Sequence, residues 1–396
     1  DTENGDLRHT NDVWLYSPTS RRCRPLRCSG VSPSGRFGHS ATVFPMDSGT
    51  STAMVVHGGK EHSGDTTEAV NTTFVLAIGH DAYHWREAEV RDGPLPPIPR
   101  WGHSAVHTGD VPDSSAWSQV TNRNIESGML VFGGDCGGAM MNDLMFLDVA
   151  TETWLPLEAA NDRPLARRNH TACTYGQHMY VFGGRSAEGS FLQDLWILAL
   201  HSLTWRQVEP SGSIPAARTG HTAVMYQDRM IVFGGFLSPN PQTRVFFSDV
   251  HEYNTCNQEW AAITPRSLPT DSTSNAHGCT TPCMLPDRLV FRAGEDAPAW
   301  PTTHHCCSWS RPSPRSMSCS VVHGSRMYVF GGRDQLAASG GAFCLTLQTV
   351  LTSLRDLLIQ WLTDNGLLFL CEDMPATIRE RINELQLSHS VCMLCP

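Results

Sequence analysis

Several scarcities narrow what this 396-residue chain can be. Charge is one: only 17% of residues are Asp, Glu, Lys or Arg, and the net charge is −10. A nucleic-acid partner wants a basic stripe, which a chain of this balance does not supply. The mild acidity is read as solubility with a weak preference for basic partners. No apolar run reaches 18 residues, so no transmembrane helix is expected and no membrane partner is implied. The opening segment Asp1–Asp12 is polar and holds no secretion signal. The 14 cysteines lack the spacing of a disulfide framework, and Cys173, Cys319 and Cys344 fall at apolar strand positions. They are read as reduced structural thiols of a cytoplasmic or nuclear protein. Asn71-Thr72-Thr73 and Asn169-His170-Thr171 match the glycosylation acceptor pattern, the second inside an expected core strand, where chance is the better reading.

Glycine and proline, by contrast, are plentiful at 33 and 25 residues, and with 40% apolar content they describe a turn-rich, all-β protein. The stretch Ala166–Pro210 is the unit that repeats. It opens with Arg167-Arg168-Asn169-His170, continues through the apolar run Met179–Phe182 into Gly183-Gly184, and closes with Asp194 and, 11 residues later, Trp205. Four short strands joined by tight turns follow from this pattern, which is one blade of a propeller. Glycine pairs recur at Gly58-Gly59, Gly133-Gly134, Gly234-Gly235 and Gly331-Gly332, with a degraded copy at Ala293-Gly294. First-strand markers recur at Arg36–His39, Arg100–His103 and Arg218–His221, and weaker forms at Ser274–His277 and Arg315–Ser318. Asp143 precedes Trp154 and Asp249 precedes Trp260 at the same separation of 11, while Thr72 and Trp85 stand slightly further apart. Register kept this well implies one buried face per strand, with the Trp filling the wedge between blades.

Glycine pair, Asp and Trp recurring together resemble kelch repeats, over about residues 11 to 347. That resemblance implies a six- or seven-bladed kelch β-propeller over 1–347, followed by a short C-terminal α-helical segment. Expected blades span about 36–90, 99–157, 166–209, 217–263, a degenerate 277–309, and 315–347. Residues 11–28 form a half-blade with Cys23 at the Trp position. Either strands that precede it are missing from this chain, or ring closure borrows strands from the far end. Thr108–Gly128, Phe236–Phe247 and Glu295–Pro314 depart from the repeat.

From Val350 the period changes: Leu351, Leu354, Leu357, Leu358, Trp361 and Leu362 have helical spacing. Asn365-Gly366 supplies a stop, and a second amphipathic segment follows Met374-Pro375. Over 348–388 this resembles the BC-box and cullin-2 box of kelch-domain substrate receptors in cullin-2 ubiquitin ligases. The resemblance places elongin C on Leu354, Leu358 and Leu362, and cullin-2 on Met374, Pro375 and Ile378. The alternative is a helix pair that caps the ring; 389–396 is read as a tail.

Several receptors of this kind recognise a substrate's extreme C-terminus through an Arg after a glycine pair, a second Arg, and a Ser-Trp before the next first-strand His. Here Arg185 matches the first place, Ser190 occupies the second, and Thr219-Gly220 replaces Ser-Trp. The pocket is thus partly present, which points to a different degron or face. Candidate peptide-binding residues at the mouth are Arg36, Arg100, Trp101, Arg167, Arg185, Ser190, Arg218, Thr219 and Arg333. Trp101 is read as an aromatic wall, and the marker arginines as cations whose heads approach the channel mouth, because a guanidinium fits a carboxylate.

Metal chemistry is the competing reading. The repeated His residues near the channel are expected to be satisfied by backbone groups or by one another. His277 with Cys279 and Cys283, and His389 with Cys392 and Cys395, do not reach four zinc ligands at a familiar spacing. Neither the Tyr/His copper set of kelch-type oxidases nor the Glu-x-x-x-Asp-x-x-x-His iron motif of plant specifier proteins is found. No cofactor is expected. The sequence is read as a non-enzymatic protein-binding propeller, with a signalling or cytoskeletal scaffold as the alternative to a ligase receptor, and a metal-dependent enzyme less favoured.

Overall fold

The computed structural model describes residues 10–17, 22–46, 51–63, 66–79, 82–89, 97–109, 128–240, 242–263, 290–293, 314–323, 326–333 and 342–346. These residues form strands and turns, as the glycine-rich repeat requires. Blade I joins Ser40–Met46, Ser51–His57, Thr73–Ile78 and Tyr83–Glu87; blade II joins Ser104–His107, Gly128–Asp135, Met140–Asp148 and Thr153–Leu157. Blade III uses Thr171–Tyr175, His178–Ser186, Phe191–Ala199 and Thr204–Gln207, and blade IV uses Thr222–Tyr226, Arg229–Phe233, Val250–Asn254 and Glu259–Ile263. Neighbouring strands within each blade are antiparallel. This radial repetition of small sheets is a β-propeller.

Blade V contains Cys319–His323, Arg326–Phe330 and Ala342–Thr346. Of the copy expected over 277–309, the described residues include only Val290–Ala293, and these pair with Ala342–Thr346 at the outer edge of blade V. A segment without its own Asp and Trp half has no sheet to build, so it completes a neighbour's. Blade V follows blade IV directly: Gly235 N–H donates to Arg315 O at 2.7 Å, repeating the link from Gly184 to Arg218 at 2.9 Å.

The wedges between blades are filled as the spacing implied. Trp154, Trp205 and Trp260 are almost fully buried. Each lies against the last strand residue before the preceding blade's glycine pair: His57, Phe132 and Phe182, with ring centroids 4.6, 5.1 and 4.9 Å apart. One apolar cluster spans blades II and III, another III and IV, and a third IV and V. The half-blade is a hairpin of Trp14–Ser17 and Arg22–Pro25. It bridges the two ends of the described ring: Tyr16 packs on Tyr328 and Phe330 of blade V, and Val13 on the Phe74, Leu76 and Trp85 cluster of blade I.

The hub is stitched by main chain. Gly102 N–H donates to Gly38 O, Asn169 to Gly102, Gly220 to Asn169 and Met317 to Gly220, at 2.7 to 2.9 Å. Every residue in this series has φ between 51° and 66°. That left-handed backbone favours Gly and tolerates Asn, which explains the third place of the Arg-x-x-His marker. Residues 348–396, with the expected helices and the residues Leu354, Leu358, Leu362, Met374, Pro375 and Ile378, lie outside the described residues, as do His277, Cys279, Cys283 and most of the Thr108–Gly128 insertion.

Candidate functional site

The Arg of each marker has a different place from the one expected. Arg100, Arg167 and Arg218 are completely buried. Each makes a two-pronged ion pair with the Asp of its own blade: Arg100 with Asp143 at 2.9 and 2.8 Å, Arg167 with Asp194 at 2.8 and 2.8 Å, Arg218 with Asp249 at 2.7 and 2.8 Å. Each also donates to the carbonyl of the first glycine of the pair, Gly133, Gly183 or Gly234. Arg36 is buried as well; Thr72 replaces the Asp, and Glu61 supplies the carboxylate at 3.4 Å. Burial alone would raise the carboxyls of Asp194 and Asp249, but hydrogen bonds from Arg167 and Arg218 outweigh it and hold both below the usual carboxylate range. These four arginines therefore fasten blades and are not ligand-facing. Thr219 is buried too, its hydroxyl donating to Asn169 O.

The marker histidines form a second fastening. Nε2 of His103, His170 and His221 sits 2.8 Å from the hydroxyl of Ser40, Ser104 and Thr171, each in the preceding blade. Burial, helped by nearby arginines, pushes His221 and the blade I residue His57 down to about 3, and His103 and His170 well below the ordinary value. Neutral imidazoles wedged between blades are structural. Among the described residues no cluster of three or more His, Cys, Asp or Glu is placed to hold a metal ion.

At the mouth stand the residue after each marker Arg and the residue after each glycine pair, with Thr219, Ser316 and Asp135 buried among their neighbours. The main chain pairs them one couple per blade: Phe37 with Lys60, Trp101 with Asp135, Arg168 with Arg185, Thr219 with Phe236, and Ser316 with Arg333. Four cations and one carboxylate thus rim the hub of a chain whose net charge is −10. The repeat locates these places, but Lys60, Asp135, Arg168 and Phe236 are not among the candidate binding residues drawn from the sequence, because their identities change from copy to copy.

Trp101 is not an open aromatic wall. Lys60, from the blade before, lies 4.8 Å from its ring centroid, and Arg168, from the blade after, lies 4.6 Å away, while Phe37 meets it edge-on at 6.0 Å. The indole holds two cations in place by their attraction to its π face. Arg168 is also paired with Asp135. Arg185 is fixed differently: Nε donates to Gly189 O at 3.3 Å and the guanidinium lies 5.6 Å from the Phe191 centroid. Ser190 is exposed in the turn beside it, and its carbonyl accepts from Ser186 N–H. Arg333 is exposed. Among the described residues no carboxylate is within ion-pair distance of Lys60, Arg185 or Arg333.

Beyond Arg185 an aromatic shelf continues around the rim. Phe191 packs edge-on against Phe236, which stacks on Phe246 at 5.6 Å. Phe236–Asn240 and Thr243–Phe246 form a small hairpin raised from blade IV, and Arg244 lies over Phe236 at 5.8 Å. A matching hairpin, Lys60–Ser63 with Thr66–Ala69, rises from blade I.

A KLHDC2/KLHL20/DRC7 Kelch-repeats domain model matches residues 106–293. Blades II to IV, which this model spans, are kelch repeats. Human Kelch domain-containing protein 3 is 29% identical over 251 residues, covering 59% of this chain and 56% of the relative. Host cell factor of Drosophila melanogaster is 27% identical over 284 residues, covering 63% of this chain and 17% of the relative. Acyl-CoA-binding domain-containing protein 4 of Arabidopsis thaliana is 26% identical over 291 residues, covering 67% and 38%. The kelch propeller spans about half the length of the Kelch domain-containing protein 3 relatives it matches. The kelch fold is a protein-binding propeller, and the rim just described gathers the side chains that differ from blade to blade of this chain.

Proposed function

We propose that this kelch propeller captures an acidic peptide segment of another protein at the hub rim. The observation that carries this reading is the set Lys60, Arg185 and Arg333, three cations without a carboxylate partner among the described residues, on an otherwise acidic chain. The weak preference for basic partners drawn from net charge is thereby reversed locally, because a ligand senses the charge within about a Debye length, not the molecular total. Fluorescein-labelled hexaglutamate, with hexaglutamine as control, tests it by anisotropy. Binding of the acidic peptide that weakens in Arg185→Ala and Arg333→Ala supports the rim; equal binding of both peptides, unaffected by these changes, removes it.

The finer reading is that of a substrate receptor for an elongin BC–cullin-2 ubiquitin ligase in the cytoplasm or nucleus. It rests on the spacing of Leu354, Leu358 and Leu362 and on Met374, Pro375 and Ile378 beyond the last blade. Co-purification with elongins B and C, lost in Leu354→Asp, is the expected result. Wild-type protein that ignores both leaves the scaffold reading, with the helices as a cap.

A further inference from the structure

Arg168 and Arg185 are directly opposed across an antiparallel pairing. Like charges in that position repel and cost stability unless an anion stands with them. Asp135 of the preceding blade supplies one: its Oδ2 accepts from Arg168 NH1, while its Oδ1 accepts from Gly137 N–H at 2.7 Å. Asp135 is only 9% exposed, so its position is set by the fold. Arg185 has no equivalent. It is oriented by a main-chain carbonyl and a phenyl ring, neither of which neutralises it.

From this asymmetry we infer that the Arg168–Arg185 couple is a two-place seat for carboxylates. Asp135 is an internal counter-ion that permanently occupies the Arg168 place and leaves Arg185 for one carboxylate of the incoming peptide. Asp135 thereby sets affinity: it neutralises a cation that would otherwise add to binding, and its own charge repels a second ligand carboxylate. The seat takes a single acidic group at this point of the rim, with Lys60 on the far side of Asp135 for the next. The inference rests on the rim being the ligand face, and its test separates the two.

The test uses the full chain and the hexaglutamate probe. Asp135→Asn keeps the oxygen that accepts from Gly137 and removes the charge. It is expected to bind about tenfold tighter than wild type, the effect of adding one charge-assisted contact. Arg185→Ala weakens binding, and Arg185→Ala with Asp135→Asn returns to near wild-type affinity, because the released Arg168 takes the vacated role. If Arg185→Ala weakens binding but Asp135→Asn changes nothing, the rim stands and the counter-ion role falls. If neither substitution alters binding, both fall. Thermal unfolding of each variant reports folding, and Asp135→Ser, which also retains an acceptor for Gly137, replaces Asp135→Asn if that variant does not fold.

Discussion

A guanidinium with no solvent contact is stable only because each of its three nitrogens is met. Arg167 illustrates this: Nε donates to Leu165 O, NH1 to Gly183 O and Asp194, NH2 to Asp194. Removing the acid leaves the cation in place without its counter-charge, which costs far more than the pair's net worth. Asp194→Ala is therefore expected to lower unfolding free energy by about 3–5 kcal/mol, read from urea unfolding, whereas Arg185→Ala at the rim changes it by less than about 0.5 kcal/mol. The buried histidines give a pH signature. Their folded pKa lies below the unfolded value of about 6.5, so their contribution is complete above pH 6.5 and is lost as pH falls from there toward about 3. At pH 5, His57 and His221 each weaken the fold by about 2 kcal/mol relative to pH 7. Urea midpoints that fall between pH 7 and pH 5, and stay level from 7 to 9, are the expected outcome; a flat profile across all three contradicts neutral burial.

At the scale of strands and connectors, the propeller manages its edges as well as its wedges. The outermost strand of a blade would offer an open row of main-chain groups to another chain. Here the connector that leads into a blade runs back along that blade's own outer strand. Ser29 and Gly30 pair with His84 and Trp85, Ser211 and Ser213 bond both main-chain groups of Trp260, and Asn161 does the same for Trp205 with its side chain. The approach is close enough to demand glycine: a Cβ on Gly212, at φ +75°, would meet Trp260 O at 2.1 Å. Gly212→Ala is expected to cost more than 1 kcal/mol and to speed amide exchange in Glu259–Ile263 before blades II and III, by mass spectrometry. Glycine pairs and Trp positions were legible in the sequence because they obey a local period. The marker arginines were misplaced for the opposite reason. Their partners stand 27 to 43 residues away, and a long side chain that folds back under a glycine carbonyl leaves no trace in spacing.

For the molecule as a whole, the constant positions of the repeat build the wheel and the changing positions form its working surface. Repeated residues therefore mark the scaffold, whereas Lys60, Asp135 and Phe236 leave no repeat signal because their value lies in differing between copies. One of these doubles as a built-in reporter, since Lys60 is the only lysine in the 396 residues. Reductive methylation with carbon-13 formaldehyde labels it and the α-amine alone, and the dimethyl group retains the positive charge that holds it over Trp101 at 4.8 Å. Its methyl resonance is expected upfield of a free dimethyl-lysine through the indole ring current, and Trp101→Leu returns it to the free position. Titration with hexaglutamate then moves the Lys60 resonance and leaves the α-amine signal alone if acidic segments dock on the rim. Movement of the α-amine signal only, or of neither, places the captured segment on another face of the propeller.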